Sequence, residues 1–265
     1  MAEAGFDFTD AAAYERAMGR WSRAVAPRFL RWIGAPRRAK WLDVGCGTGV
    51  LSEALIDMYD PAAVVGVDAS KAQIAHAARG AVAARARFRQ ADAMQLPFAD
   101  GCFDIAVSAL TFNFVAVPAR AVAEMARVTR PGGIVAGYVW DFAAELSPSG
   151  PLRGAMKAFG APPPAIPGTM HCSVDALRSL FVAAGLPSVE ATTIEVSLAY
   201  SDFNDFWDAQ TPSYSPVTKL INAMTEGERQ RLKRTAHDLL ARGRNGTVEY
   251  LARANAICAA VAPQR

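Results

Sequence analysis

Charge of one sign is scarce in this sequence, as are paired cysteines, histidines and long apolar runs. The 28 Lys and Arg residues nearly cancel the 25 Asp and Glu, leaving a net charge of +3 on 265 residues. So small an excess implies no nucleic-acid-binding tail and no anionic macromolecular partner. Four cysteines, Cys46, Cys102, Cys172 and Cys258, stand far apart with no CxxC pair. That scatter excludes a zinc ligand set and a disulfide framework, so no metal site is expected. Single thiols suit a reducing compartment, and the expected location is cytoplasmic. No apolar run reaches the ~18 residues of a membrane span. The first ten residues, MAEAGFDFTD, are acidic and lack an apolar h-region, so they do not read as a secretory signal. Neither nucleic acid nor membrane is expected as a partner, and nothing in the sequence sets an oligomeric state.

What the chain has in plenty is hydrophobic residues, 52% of the total, enough for one large core. From residue 40 onward they fall in alternating patterns. Trp41–Val44, Ala63–Val67, Arg87–Gln90, Cys102–Ala109 and Ile134–Trp140 read as strands. Val50–Met58, Lys71–Ala84 and Ala119–Val128 read as helices, and "RPGG" (130–133) reads as a turn into the last of these strands. Strands alternating with helices of this length predict βαβ units, hence a Rossmann-like, doubly wound α/β fold with a mainly parallel sheet. The rhythm breaks over 141–172, where prolines suggest an insertion loop with one short helix. It resumes at 173–184, a helix with Ser173 as its cap and Gly185 after it. Residues 188–198 alternate like an edge strand, 200–210 are aromatic-rich, 226–242 form a charged amphipathic helix, and 246–261 close the chain.

Glycines at 45, 47 and 49 follow the first strand, and Asp68 ends the second about 20 residues later. Glycines there allow close backbone approach, the helix start takes an anion, and the acid takes ribose hydroxyls. A dinucleotide site wants GxGxxG. Here the spacing is GxGxG, and Val50 stands where the last glycine belongs. Asp43, just before the turn, suits an ammonium or sulfonium better than a pyrophosphate.

"LDVGCGTG", "VVGVDAS", "ADAMQLPFADGCFDIAVS" and "RVTRPGG", in that order, resemble class I S-adenosylmethionine-dependent methyltransferases. The likeness is nearest to the small-molecule group that includes the ubiquinone/menaquinone methyltransferases. It implies a seven-stranded sheet whose last strand, near 246–261, is antiparallel. It also implies S-adenosyl-L-methionine as cofactor and a set of contacts. Gly45, Cys46, Gly47 and Gly49 would line the methionine end, with Asp43 supporting the loop and the ammonium. Asp68 would accept the ribose hydroxyls, with Ala69 beside the adenine. Asp92, Ala93 and Met94 would hold the base, and Ser108 would face the sulfonium. In such enzymes a segment before the first strand folds over the cofactor. Tyr14, Met18, Arg20 and Trp21 are similar to its contacting positions, with Arg20 pairing the carboxylate, whereas Phe29, Leu30 and Ile33 read as core. The chain is thus expected to be one domain, 1–265, with N-terminal lid helices over 1–38 and substrate-lid insertions at 141–172 and 200–245.

Methyl transfer from a sulfonium is an in-line displacement that needs alignment and exclusion of water more than a base. The stretch after the fourth strand, Ser108-Ala-Leu-Thr-Phe-Asn, lacks the Asn/Asp-Pro-Pro-aromatic signature of base-amine methylation and the acidic signature of polyamine synthases. Cys102 is at the wrong end of that strand to attack a cytosine. A small, partly apolar acceptor remains, in a chamber built from 110–114, the insertion 141–172 and the segment 200–216, with Phe112, Phe114, Trp140, Phe142, Phe203, Phe206, Trp207 and Tyr214 as apolar walls. His171, in the lid-like insertion, is the candidate base. Two alternatives stay open on the residues: a non-catalytic S-adenosylmethionine-binding regulator, and an NAD-dependent oxidoreductase, which the GxGxG spacing disfavours.

Overall fold

Apolar runs closed by glycine or aspartate become the centre of the sheet. The computed structural model describes residues 8–186, 188–240 and 246–262. Strands β1 (Lys40–Val44), β2 (Ala63–Asp68), β3 (Arg87–Gln90), β4 (Phe103–Ala109) and β5 (Thr129–Trp140) run parallel to one another. With β6 (Val189–Tyr200) and β7 (Val248–Ala260) they form one seven-stranded sheet, in the order β3-β2-β1-β4-β5-β7-β6. β7 runs antiparallel to both neighbours, from Ile134↔Ala260 to Trp140↔Ala254 against β5. The α/β class and the reversed last strand are therefore as expected.

Helices cover both faces. The N-terminal helix consists of α1 (Ala11–Tyr14), a π-helical turn over Glu15–Gly19, and α2 (Arg20–Ile33). Trp21, Val25, Phe29, Leu30 and Ile33 of α2 pack with Leu51 and Leu55 of α3 (Val50–Tyr59) on one face of the sheet. Helix α4 (Lys71–Ala77) links β2 toward β3. Val122 and Met125 of α5 (Pro118–Val128) join Leu177 and Phe181 of α7 (Val174–Ala183) on the other face. Ser173 caps α7 by accepting from the Ala176 N–H, and Gly185 follows with φ +85°.

Two sequence expectations are corrected. "RPGG" does not precede β5 but bulges it. The pairing jumps from Phe103↔Thr129 to Ile105↔Ile134, and Gly132 takes φ +72°. The 141–172 insertion carries its one expected helix, α6 (Gly150–Phe159), and a 3-10 turn at Thr169–His171. Beyond β6 the chain forms three helices: α8 (Phe203–Gln210), α9 (Pro216–Ala223) and α10 (Glu226–Leu239). Residues 241 and 242, also expected in the last helix, lie outside the described residues. Proline misled at α9 because Pro216, like Pro151 in α6, occupies a first helical turn, where a missing N–H costs no bond. Helices α6, α9 and α10 share one apolar cluster (Leu152, Met156, Val217, Ile221 and Leu232), a cap of their own beside the sheet. Among the described residues no helix is long and apolar enough to cross a membrane.

Candidate functional site

Strand β1 ends at Val44, and the chain turns on Gly45, Gly47 and Gly49, with φ of +72°, +53° and +93°. That left-handed region is open to glycine without steric cost. At Gly45 the demand is doubled, since a Cβ there would stand 2.1 Å from Thr111 Oγ1. The turn is tied to β2: Gly45 and Cys46 N–H groups donate to the Val67 carbonyl at 2.7 and 2.9 Å. Asp68, at the tip of β2, accepts from the Gly47 N–H at 2.9 Å and the Ser70 N–H at 2.8 Å. Burial pushes its carboxyl pKa up, and those two bonds oppose the shift.

A cavity of about 820 Å³ opens above the C-terminal ends of β1, β2 and β4. Here the strand order reverses direction, where open α/β sheets bind ligands. Gly45, Gly47, Asp68, Ala69, Asp92, Ala93 and Met94 all line it. Asp92 sits exposed at the rim, accepting from the Met94 N–H at 2.8 Å. The volume lies within the range usual for small-molecule and cofactor sites.

Asp43 lies beneath the turn, fully buried, on a small recess bordered also by Tyr14, Gly45, Cys46 and Gly47. Its Oδ2 accepts from Ser52 Oγ at 2.7 Å, while Oδ1 has no partner. Desolvation pushes the carboxyl pKa up to about 7, with the nearby Asp68 charge adding to the rise and the Ser52 bonds opposing it. A buried carboxylate oxygen without a donor is a costly arrangement that a ligand cation would relieve. This orphaned oxygen fits a group with a positive end.

Other expected contacts lie elsewhere. The Ser108 side chain is fully buried and donates to the Val44 carbonyl at 2.8 Å, tying β4 to β1 rather than facing the cavity. Its place on the wall is taken by Ala109, Leu110 and Thr111. Gly49 caps α3 and faces Ala77, Val82 and Phe88, away from the opening. Arg20 turns to the far sheet edge, where it pairs with Asp205 at 3.1 Å, donates to the Ala199 carbonyl and lies over the Tyr200 ring. Trp21 is 1% exposed and donates to Tyr200 Oη at 3.2 Å. His171 borders neither main cavity. Among the described residues no cluster of His, Cys, Asp or Glu could hold a metal.

From the segment before α2, Phe8 and Tyr14 line the large cavity. The Phe8 carbonyl accepts from Ser70 Oγ and Gln73 Nε2, and Glu15 accepts from Thr48 Oγ1 at 2.6 Å. Tyr14 lines this cavity and a second, smaller chamber of about 110 Å³. The two share Phe8, Tyr14, Leu110 and Phe114 as walls. Of the aromatics expected around the chamber, Phe114, Trp140, Phe142 and Tyr214 line it. Phe112 is core, and Phe203, Phe206 and Trp207 pack together along α8. Asn113, Arg153 and Gln210 of the small chamber and Thr111 of the large cavity fall in the segments 110–114, 141–172 and 200–216 from which the acceptor chamber was expected, though not named singly, whereas Phe8 and Gln73 were passed over. Only Arg153 left a signal, a lone cation between the apolar positions Leu152 and Ala155.

Residues 42–137 match the methyltransferase-domain family. The chain is 33% identical over 153 residues to phosphatidylethanolamine N-methyltransferase of Cereibacter sphaeroides, covering 56% of this chain and 72% of that one. It is 40% identical over 116 residues to demethylmenaquinone methyltransferase of Thermus thermophilus, covering 43% and 51%. It spans about half to two thirds of the length of several curated relatives. The structure resembles the YcgJ protein from Bacillus subtilis with a TM-score of 0.60, covering 91% of this chain and 99% of that one, at 19% identity. A glycine turn closed by Asp68, a buried carboxylate beneath it and a sheet with its last strand reversed accompany these matches, and the chain belongs to the class I S-adenosylmethionine-dependent methyltransferases.

Proposed function

We propose that this chain transfers a methyl group from S-adenosylmethionine to a small, partly apolar acceptor by in-line displacement. The carrying observation is the pair of adjoining cavities, a large one over the glycine turn and a small one beside it, sharing Phe8, Tyr14, Leu110 and Phe114. When bound, S-adenosylmethionine supplies a sulfonium methyl group. On this reading Gly45, Gly47 and Asp43 hold its amino-acid end, Asp68 and Ala69 its ribose, and Asp92, Ala93 and Met94 its base. The chamber beyond the shared wall is lined by no carboxylate and no imidazole. These residues then act by orienting the acceptor and excluding water, and no side chain need remove a proton.

The proposed organisation is one domain over 1–265, with residues 8–19 as cofactor cover and α6, α8, α9 and α10 as acceptor cap; residues 1–7 of the expected lid lie outside those described. The four free thiols support a cytoplasmic setting. Calorimetric titration with S-adenosylmethionine and with NAD tests the cofactor. A labelled-methyl screen over phenols, quinones, amines and carboxylic acids tests the reaction. Heat with NAD alone, or binding of S-adenosylmethionine without turnover on any acceptor class, would sink this reading.

A further inference from the structure

The small chamber has apolar walls, yet it is furnished with unpaired polar atoms. Asn113, Trp140 and Gln210 are 3%, 3% and 8% exposed, and all line it. Asn113 Nδ2 and Trp140 Nε1 have no hydrogen-bond partner. Gln210 is held in place by its own Nε2, which donates to the Pro148 carbonyl at 2.8 Å. Unsatisfied donors this deep are costly, so a fold that keeps two around one void calls for a ligand.

Arg153 of α6 lines the same chamber. Its Nη1 donates to the Pro164 carbonyl at 2.9 Å, which fixes the side chain and leaves its other donors open. Among the described residues no carboxylate pairs with it. Glu145, whose charge reaches it, is bound to Lys157 instead. Burial holds the guanidinium pKa below its ordinary value, as expected of a cation lacking a counter-charge.

We propose that the methyl acceptor carries a carboxylate, received by Arg153 with the Trp140 N–H and the Asn113 amide as supporting donors. The inference rests on the small chamber being the acceptor site. A guanidinium takes a carboxylate in a planar, two-bond fit, and the unfilled donors match its oxygens. The position also assigns the carboxylate its role. Arg153 stands on the α6 side of the chamber, whereas the wall shared with the large cavity consists of Phe8, Tyr14, Leu110 and Phe114. The anion is therefore a handle that orients the acceptor, and the methyl goes to an atom at its other end.

The test uses 3-phenylpropionate and its uncharged isostere 3-phenylpropanamide, titrated into the full chain saturated with S-adenosylhomocysteine. The wild type should bind the acid at least ~10-fold more tightly than the amide, about 1.4 kcal/mol. Arg153→Gln should abolish that preference while S-adenosylhomocysteine affinity stays unchanged, which also shows that the variant is folded. Should Arg153→Gln not fold, Trp140→Phe, which keeps a ring and removes one donor, is expected to narrow the preference. Equal binding of acid and amide by the wild type, binding of neither, or a preference that survives these changes overturns the proposal. Failure of S-adenosylhomocysteine itself to bind is a separate result; it would overturn the methyltransferase reading and this inference with it.

Discussion

Asp68 carries two tasks at once, since its carboxylate braces the glycine turn through Gly47 and faces the large cavity. Asp68→Ala should therefore weaken S-adenosylmethionine binding by about 2–4 kcal/mol, as two bonds to a charged acceptor are lost together. Asp68→Asn keeps one oxygen and should lose less. Asp92 is exposed at the rim, so Asp92→Ala should cost only about 1 kcal/mol. Calorimetry on the three variants checks the ranking; wild-type affinity in Asp68→Ala would remove Asp68 from the site. Asp43 predicts a pH effect. Burial raises its carboxyl pKa from 3.8 to about 7, so the folded chain holds a proton that the unfolded chain has released. This group then makes stability fall as pH rises from about 4 to about 7, by at most about 1.4 kcal/mol per pH unit, with no further change above. Asp43→Asn should flatten that part of the Tm profile relative to wild type. A bound ammonium favours the ionised form, so S-adenosylmethionine affinity in the wild type should rise between pH 6 and 8. Profiles of wild type and Asp43→Asn that run parallel would show that Asp43 does not titrate there.

At the scale of elements, the N-terminal helix divides into two parts with different duties. From Trp21 to Ile33 it is core, packed under the sheet. Residues 8–19 instead touch Ser70, Gln73 and Thr48 around the large cavity. The π-helical turn over Glu15–Gly19 marks the border, a feature often found at functional sites. A chain cut at Ser22 would lose Trp21, and with it a buried indole and its bond to Tyr200. A chain beginning at Gly19 keeps that contact. It should melt cooperatively yet bind S-adenosylmethionine at least ~10-fold more weakly, about 1.4 kcal/mol. Differential scanning calorimetry followed by titration separates the outcomes. An unfolded product would make the whole helix core, and unchanged affinity would make residues 8–18 ornament. Glu15→Ala, which frees Thr48, should speed cofactor release with little change in Tm.

At the scale of the molecule, the sheet and the helical cap are joined by β6 and the connections around β5, but the cap has its own apolar cluster. Leu232 is fully buried at the centre of that cluster, so Leu232→Ala should destabilise by about 2–5 kcal/mol. Because Leu232 borders neither main cavity, the loss should appear as a raised KM for the acceptor while S-adenosylhomocysteine affinity holds. Weakening of both together would mean that cap and sheet unfold as one unit.

The strands, the glycine turn and Asp68 were legible because they rest on local rules. An apolar run buried on both faces makes a central strand, and a positive φ asks for glycine, with both written in neighbouring residues. A proline at its start disguised α9, since a residue that breaks a helix inside also begins one. Arg20, Trp21, Ser108 and His171 were misplaced for a different reason. Which way a side chain points depends on partners 64 to 185 residues away in the chain, such as Val44 for Ser108 and Asp205 for Arg20. The small chamber is of the same kind. Asn113, Trp140, Arg153 and Gln210 come from separate elements, and no spacing announces that they meet. The sequence by itself determined the parallel strands and the turn, because these follow from periodicity and backbone conformation, and its motifs pointed to the family. Only the tertiary structure decided what surrounds the acceptor, because burial and an unpaired donor exist only once distant segments have packed together.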